Sequence, residues 1–248
     1  MKRKKILLAL VLFVLGLIGM ASILTMDIPM PQEVLDTLGD KFSPFQIKLI
    51  TLINPIVLLI TAITIGTLLY QSAGLRVPFV ERLVGLSSQH NSRTVIFSGI
   101  VGGLIAGACI SIIAIVFKSI TPHEFSELGK SYQPTLAARF LYGGIVEELF
   151  MRFGLMTLLV WISSKITKNK RDYVYWVGIV LATLIFAIGH FPVVFNSVDN
   201  PSTTLLTYVM LGNSIGGIVF GWLYWKKGLE SAIIAHAFAH VVMVLAKI

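Results

Sequence analysis

The sequence predicts an all-α fold, a polytopic transmembrane helical bundle of about seven spans. The chain has 248 residues, of which 56% are hydrophobic and only 13% are charged. A soluble domain has about 25% charged residues, so this composition is typical of a membrane protein. Apolar runs of about 20 residues, long enough to cross a bilayer, recur along the whole chain. The lipid bilayer is therefore the first predicted partner.

The predicted spans follow one another with short connections. The first apolar run is about 20 residues long, which favours a span over the shorter apolar core of a cleaved signal peptide. The segment 27–47 mixes prolines with acidic and apolar residues, so it fits an interfacial amphipathic helix or a plain loop equally well. The predicted spans lie at 6–26, 48–70, 95–117, 139–163, 173–191, 204–225 and 229–246.

Basic residues concentrate in alternate loops, and this pattern predicts the orientation. Residues 2–5 read KRKK, and further basic residues follow the second, fourth and sixth spans, at 76–93, 165–171 and 226–227. The positive-inside rule therefore places the N-terminus inside and the C-terminus outside. The same clustering accounts for the net charge of +8, so no nucleic-acid partner is predicted.

Glycine spacing predicts close packing between helices. Glycines recur every fourth residue on the third and sixth spans, as Gly99, Gly103 and Gly107, Gly212 and Gly216, and Gly217 and Gly221. Such rows of small residues let two helix backbones approach closely in a membrane.

The chain has a single cysteine, Cys109. An intramolecular disulfide and a cysteine-based zinc site are therefore excluded.

Two adjacent glutamates, Glu147 and Glu148, lie inside the apolar fourth span, where a charged group costs about 3 kcal/mol or more. Arg152 follows Glu148 at i, i+4, the favourable order for an intrahelical ion pair. Successive α-helical residues point about 100° apart, so Glu147 cannot share the direction of Glu148 and has no local partner. A carboxylate left in this way beside a wet cavity has the properties of a general base. The structural alternative is an interhelical pair with a histidine.

Three histidines lie in later apolar segments. His190 follows Phe186 at i, i+4 near the end of the fifth span, where a lone histidine is more often an interfacial residue than a ligand. His236 and His240 share one face of the last span. Two histidines at this spacing can bind one metal ion, although Ala237 stands where a zincin has glutamate. They can equally donate hydrogen bonds to a developing oxyanion.

Together these residues form three short motifs on three separate predicted spans. They are EELFMR at 147–152, FAIGH at 186–190, and His236 followed by His240. In this order they resemble the EExxxR, FxxxH and third histidine motifs of the CAAX protease and bacteriocin-processing family, which includes the type II CAAX prenyl endopeptidases. Position 240 departs from the family pattern, because asparagine is common there.

The resemblance implies an intramembrane endopeptidase that acts on membrane-associated peptides or small proteins. It divides the chain into three generic N-terminal spans at 1–138 and a catalytic helical core at 139–246. Glu148 and Arg152 would hold the geometry of the site. The small size of the chain is similar to that of bacterial members, which predicts a multi-pass protein of the bacterial cytoplasmic membrane.

The resemblance also assigns roles to the remaining motif residues. Glu147 with His190 would activate a water for attack on a peptide carbonyl, and His236 with His240 would stabilise the oxyanion. The same four side chains can instead supply ligands to Zn²⁺, which would lower the pKa of a bound water. The sequence leaves both versions open, with a metal-free site slightly favoured. The polar groups lie in one half of the membrane, which the predicted orientation places outside.

Two other function classes fit the same composition. A non-catalytic membrane immunity or regulatory protein can use this fold to bind a partner, but it would not require Glu147 and three histidines in hydrocarbon. A proton-coupled transporter can also contain intramembrane glutamate and histidine chains. The sequence shows no inverted repeat, which disfavours a transporter.

Overall fold

Helices make up the regular structure of the chain in the computed structural model, which describes residues 2–27, 36–86 and 91–247. No strand occurs within these ranges, so the predicted all-α fold is confirmed. Each predicted span corresponds to one helix or to two or more consecutive helical segments.

The helices follow one another along the chain with short connections. A 3₁₀ turn at Ser22–Thr25 extends the first helix, and α7 consists of the consecutive segments Ala138–Glu147, Leu149–Met156 and Thr157–Thr167. The other helices are α1 (Lys2–Ala21), α2 (Pro44–Thr51), α3 (Ile53–Leu69), α4 (Pro78–Leu83), α5 (Ser92–Ile120), α6 (Pro122–Ser131), α8 (Asp172–Ile188), α9 (Phe191–Phe195), α10 (Thr203–Lys227) and α11 (Leu229–Leu245).

The helix lengths and surfaces are those of a membrane protein. Within the described residues, five stretches are long and apolar enough to cross a bilayer: α1 with its 3₁₀ turn, α2 with α3, α5, α8 with α9, and α10. The helix α11 is apolar but shorter. Large apolar side chains such as Leu68 and Phe97 are exposed along these helices, as expected where lipid covers the protein. Cys109 is exposed as well.

The segment 27–47 lies only partly within the described residues, because residues 28–35 are outside them. Its last part leads into α2, which begins at Pro44 after a capping box. The backbone N–H of Ser43 donates to Oε1 of Gln46 at 2.8 Å, and the backbone N–H of Gln46 donates to the Ser43 hydroxyl at 3.4 Å. The second span therefore begins earlier than predicted.

The helix α7 lies at the centre of the bundle, packed against α1, α3, α8 and α11. Its inward side chains Val146, Leu149, Phe153, Met156 and Val160 are completely buried. At Ala138–Glu147 and again at Leu149–Met156, on either side of Glu148, its backbone is wound in wide π turns rather than α turns. Such winding is rare and often marks functional sites. The motif glutamates lie within this stretch.

The glycine row on α5 packs as predicted. A Cβ atom added at Gly99, Gly103 or Gly107 would lie under 3.0 Å from atoms of α11. At Gly103 the obstructing atom is the backbone carbonyl oxygen of Ala235, which cannot rotate away. The absence of side chains therefore lets α5 support the helix that carries His236.

The glycines of α10 serve two purposes, only one of which was predicted. Gly217 and Gly221 pack closely against Thr183 and Ile179 of α8, as expected for a helix-packing row. Gly212 and Gly216 do not pack against a neighbouring helix in this way. They line a cavity between the helices, so the packing prediction is wrong for that pair.

A buried carboxylate at the opposite end of the bundle organises a loop. Glu230, at the start of α11, accepts hydrogen bonds from the backbone N–H groups of Phe79 at 2.7 Å and Val80 at 3.0 Å. These donors belong to the first turn of α4, where a carboxylate is favourable. Glu230 thus fixes the loop between α3 and α5 beneath α11.

We expect Gly103→Ala to lower the thermal unfolding midpoint of the detergent-purified protein by about 5 °C, because the new methyl group overlaps fixed backbone of α11. The matched control is Gly129→Ala, since a Cβ atom at Gly129 meets nothing within 4 Å. Equal midpoints for the two variants would show that α5 and α11 do not pack this closely.

Candidate active site

The site is built around a buried ion pair on α7. The Glu148 side chain is completely buried, and its Oε2 lies 3.2 Å from Nε of Arg152. The ion pair predicted from the i, i+4 spacing is therefore present. The other oxygen, Oε1, accepts a hydrogen bond from Nδ1 of His236 on α11 at 2.8 Å. One carboxylate thus joins two helices.

The charge of Arg152 is compensated on several sides. Its Nη2 donates to the backbone carbonyl of Gly217 on α10 at 3.3 Å. The guanidinium carbon lies 5.2 Å from the ring centroid of Phe186 and 5.5 Å from that of Phe220. Aromatic ring faces attract a cation in a desolvated environment. Arg152 therefore ties α7 to α8 and α10 as well as to its own glutamate.

His236 is held in one orientation. Because Glu148 is an acceptor, Nδ1 of His236 carries the proton of that hydrogen bond. The ring stacks on Phe220, with centroids 4.7 Å apart, and on His240, with centroids 5.0 Å apart. Its Nε2 is directed toward Glu147, whose Oε2 lies 3.8 Å away. A carboxylate bonded to one ring nitrogen fixes the tautomer and the orientation of the ring.

The two adjacent glutamates face different surroundings. Glu147 lines a cavity between the helices, whereas Glu148 does not contact it. Oε2 of Glu147 lies 3.8 Å from Nε2 of His236, and Glu148 accepts from Nδ1 of the same ring. The neighbour that Glu147 lacks on its own helix therefore comes from α11.

His190 is positioned by its own helix. Its Nδ1 lies 2.9 Å from the carbonyl oxygen of Phe186 and donates to it. This bond assigns the Nδ1–H tautomer and leaves Nε2 as an acceptor. His190 is half-buried and lies against the edge of the Phe186 ring, 4.6 Å between centroids. The i, i+4 spacing therefore places His190 against both the carbonyl group and the ring of Phe186.

A cavity of about 760 Å³ brings the predicted residues together at one end of the bundle. Glu147, His190, His236 and His240 line it, whereas Glu148 and Arg152 lie behind the wall. The four residues with predicted chemical roles thus face the cavity, and the two residues predicted to hold its geometry do not. The cavity lies in the half of the bundle that contains the loops around 121–136 and 196–202.

Most of the other lining residues were not predicted from the sequence, and three of them bear on the site. Tyr132 precedes α7, and burial raises the pKa of its phenol to about 12, with the Glu147 carboxylate adding to the shift. It therefore remains a hydroxyl donor at neutral pH. Asn213 on α10 donates to the Val209 carbonyl at 2.8 Å and presents its amide to the cavity. The third residue is Gly143. Of the three, only Asn213 could have been found from the sequence, because it is a polar residue in an apolar span.

Gly143 on α7 makes room for the two histidines of α11. A Cβ atom at this position would lie 2.8 Å from Nε2 of His240 and 3.6 Å from Nε2 of His236. Both Nε2 atoms therefore face Gly143, and the missing side chain leaves a slot beside Nε2 of His240. Nδ1 of His240 is buried and has no hydrogen-bond partner among the described residues.

The four residues proposed as zinc ligands from the sequence all line the cavity. Among residues 2–27, 36–86 and 91–247, no group of three or more His, Cys, Asp or Glu side chains is arranged to hold a metal ion. The hydrogen bond from Nδ1 of His236 to Glu148 leaves Nε2 of the same ring facing the cavity.

The site lies within a segment that matches a known family. Residues 131–242 match the family described as Type II CAAX prenyl endopeptidase Rce1-like. The matched segment contains all six predicted site residues, and the match confirms the resemblance found in the three motifs. No curated protein and no solved structure matches the chain.

We expect Gly143→Ala to reduce the activity of the site roughly a hundredfold, because the methyl group would overlap Nε2 of His240 and displace that ring. Gly144→Ala is the matched control, since a Cβ atom there lies 3.6 Å from its nearest neighbour, which is an ordinary contact. Both variants should unfold at similar temperatures. Full activity of Gly143→Ala would exclude this slot as the reaction site.

Proposed function

Since residues 131–242 match the Rce1-like family of type II CAAX prenyl endopeptidases, we propose that the chain is an intramembrane endopeptidase for membrane-associated peptides or small proteins. One observation supports this most. Glu148 and Arg152 compensate each other behind the wall, while Glu147 faces the cavity beside Nε2 of His236. A membrane protein that only needed buried charge to be satisfied would not direct a second carboxylate into a cavity.

In the proposed reaction, Glu147 acts as the general base. It takes a proton from a water molecule while Nε2 of His190 accepts the second hydrogen and orients the water. The water oxygen then attacks the carbonyl carbon of the scissile peptide bond. The tetrahedral oxyanion that forms faces His236 and His240 across the slot at Gly143.

The proton then moves on to the leaving group. From Glu147 it passes to Nε2 of His236, 3.8 Å from the carboxylate, and gives an imidazolium that Glu148 stabilises through Nδ1. The imidazolium donates to the oxyanion and returns the proton to the amine nitrogen as the C–N bond breaks. Glu148 and Arg152 are positioning residues in this scheme, because neither contacts the cavity.

Zinc is the alternative electrophile for the same reaction. Glu147, His190, His236 and His240 are the candidate ligands, but their described arrangement does not form a metal site, so no step is assigned to a metal. We expect the purified protein to contain far less than one zinc per chain and chelators to leave cleavage unchanged. Stoichiometric zinc that is lost on His236→Ala would overturn the metal-free version.

We also propose that the chain lies in the bacterial cytoplasmic membrane with its N-terminus inside. The basic clusters at 2–5, 165–171 and 226–227 support this orientation through the positive-inside rule. The cavity would then open toward the outside. Protease treatment of intact cells should cut an epitope tag at the C-terminus and spare one at the N-terminus.

The proposed function is tested by comparing peptide N-termini in cells that express the wild type or Glu147→Gln at equal abundance. We expect cleavages that occur only with the wild type, because loss of a general base slows a reaction about 100-fold or more. Glu127→Gln, an acidic residue outside the site, is the matched control. Identical profiles, with the variant folded and its phenotype intact, would favour the non-catalytic immunity or regulatory protein.

A further inference from the structure

A short helix outside the motifs forms part of the cavity wall. The helix α6 follows α5 after a single residue, and its Phe125, Leu128 and Gly129 line the cavity. Its sequence, PHEFSELGKS, is amphipathic, and none of its residues is fully buried. Within the described part of the chain its backbone packs chiefly against the end of α5. Side chains rather than close backbone packing therefore hold α6 in place.

The apolar face of α6 rests on a small separate cluster. Phe125 and Leu128 pack on Val194, Val198, Leu205 and Val209, which form a hydrophobic cluster apart from the main core. The ring of Phe125 also lies 4.7 Å from that of Tyr208, centroid to centroid. A contact of this size can open without disturbing the rest of the bundle.

Two polar attachments fix the ends of α6 across the cavity. Near its start, Glu124 accepts from the backbone N–H of Ser202 at 2.6 Å and from the Ser202 hydroxyl at 2.7 Å. The Ser202 hydroxyl also accepts from the N–H of Leu205 and caps α10. At its end, the Ser131 hydroxyl donates to the carbonyl of Ser197 at 3.2 Å.

We propose that α6 is the gate of the catalytic cavity and that Phe125 and Leu128 form an apolar subsite for the substrate. This inference rests on the proposed function. The Glu124–Ser202 attachment holds the gate closed over the Val194 cluster, and the substrate enters when α6 moves away from α9 and α10. When α6 closes again, its two apolar side chains cover the substrate from the face opposite the histidines.

The chemistry of the lining defines the class of substrate. Glu147, His190 and the two histidines of α11 supply the polar groups for the scissile bond, whereas α6 adds apolar side chains only. The subsite therefore selects a peptide with a bulky apolar side chain close to the scissile bond. Closure over that side chain also removes water from the reaction site.

The subsite is tested with Phe125→Ala. For substrates with a bulky apolar side chain near the cleaved bond, KM should rise about tenfold or more while kcat changes little, because lost apolar contact weakens binding. Substrates with a small side chain there should be cleaved as before. A purely structural role would lower kcat for all substrates equally, and that result would overturn the subsite.

The gate is tested without any proteolysis, so its outcome is independent of the proposed function. Val194 is 3% exposed beneath α6, and Val194→Cys in a Cys109→Ala background reports on opening through its labelling rate with a hydrophilic maleimide. Added Glu124→Gln should speed labelling about tenfold, the effect expected for loss of a charge-assisted hydrogen bond.

Glu127→Gln is the matched control on the same helix. Its carboxylate pairs with His123 at 3.6 Å and does not reach Ser202, so labelling should stay at the parent rate. Ser131→Ala, at the other attachment, provides a second variant if Glu124→Gln does not fold. Equal labelling rates in the attachment variants and the control would overturn the gate.

Discussion

The buried ion pair between Glu148 and Arg152 is the interaction on which the rest of the site depends. An unpaired charge in this environment costs several kcal/mol, so each group requires the other. The pair also accepts from His236 on α11 and donates to Gly217 on α10. It therefore joins three helices and fixes the imidazole whose second nitrogen faces the cavity. The charge of Glu147 is available because Glu148 already compensates Arg152.

Much of this could be predicted from the sequence, because the signals are local. Apolar runs defined the spans, and the i, i+4 spacing defined the ion pair. The π winding of α7 was not predicted, and no local pattern in LYGGIVEELF indicates it. Five glycines of α5 and α10 pack as predicted, but Gly212 and Gly216 line the cavity with the same spacing.

The features that could not be predicted are those that form only in three dimensions. Gly143 is ordinary in sequence and matters because two imidazoles of α11 lie against it. The helix α6 resembles a polar loop, yet Glu124 attaches it to Ser202, 78 residues further along the chain. The cavity thus has the buried ion pair of Glu148 and Arg152 behind it, and α6, held by the part-buried hydrogen bonds between Glu124 and Ser202, in its wall.

The division of labour between the adjacent glutamates is the central claim, and paired variants measure it directly. Cleavage rate and thermal unfolding midpoint should be determined for Glu147→Gln and Glu148→Gln. We expect Glu147→Gln to keep the midpoint and lose cleavage. Glu148→Gln should lower the midpoint strongly, because Arg152 then stays buried without its counter-charge, at a cost of about 3–5 kcal/mol. An unstable Glu147→Gln together with a stable, inactive Glu148→Gln would contradict this division of labour.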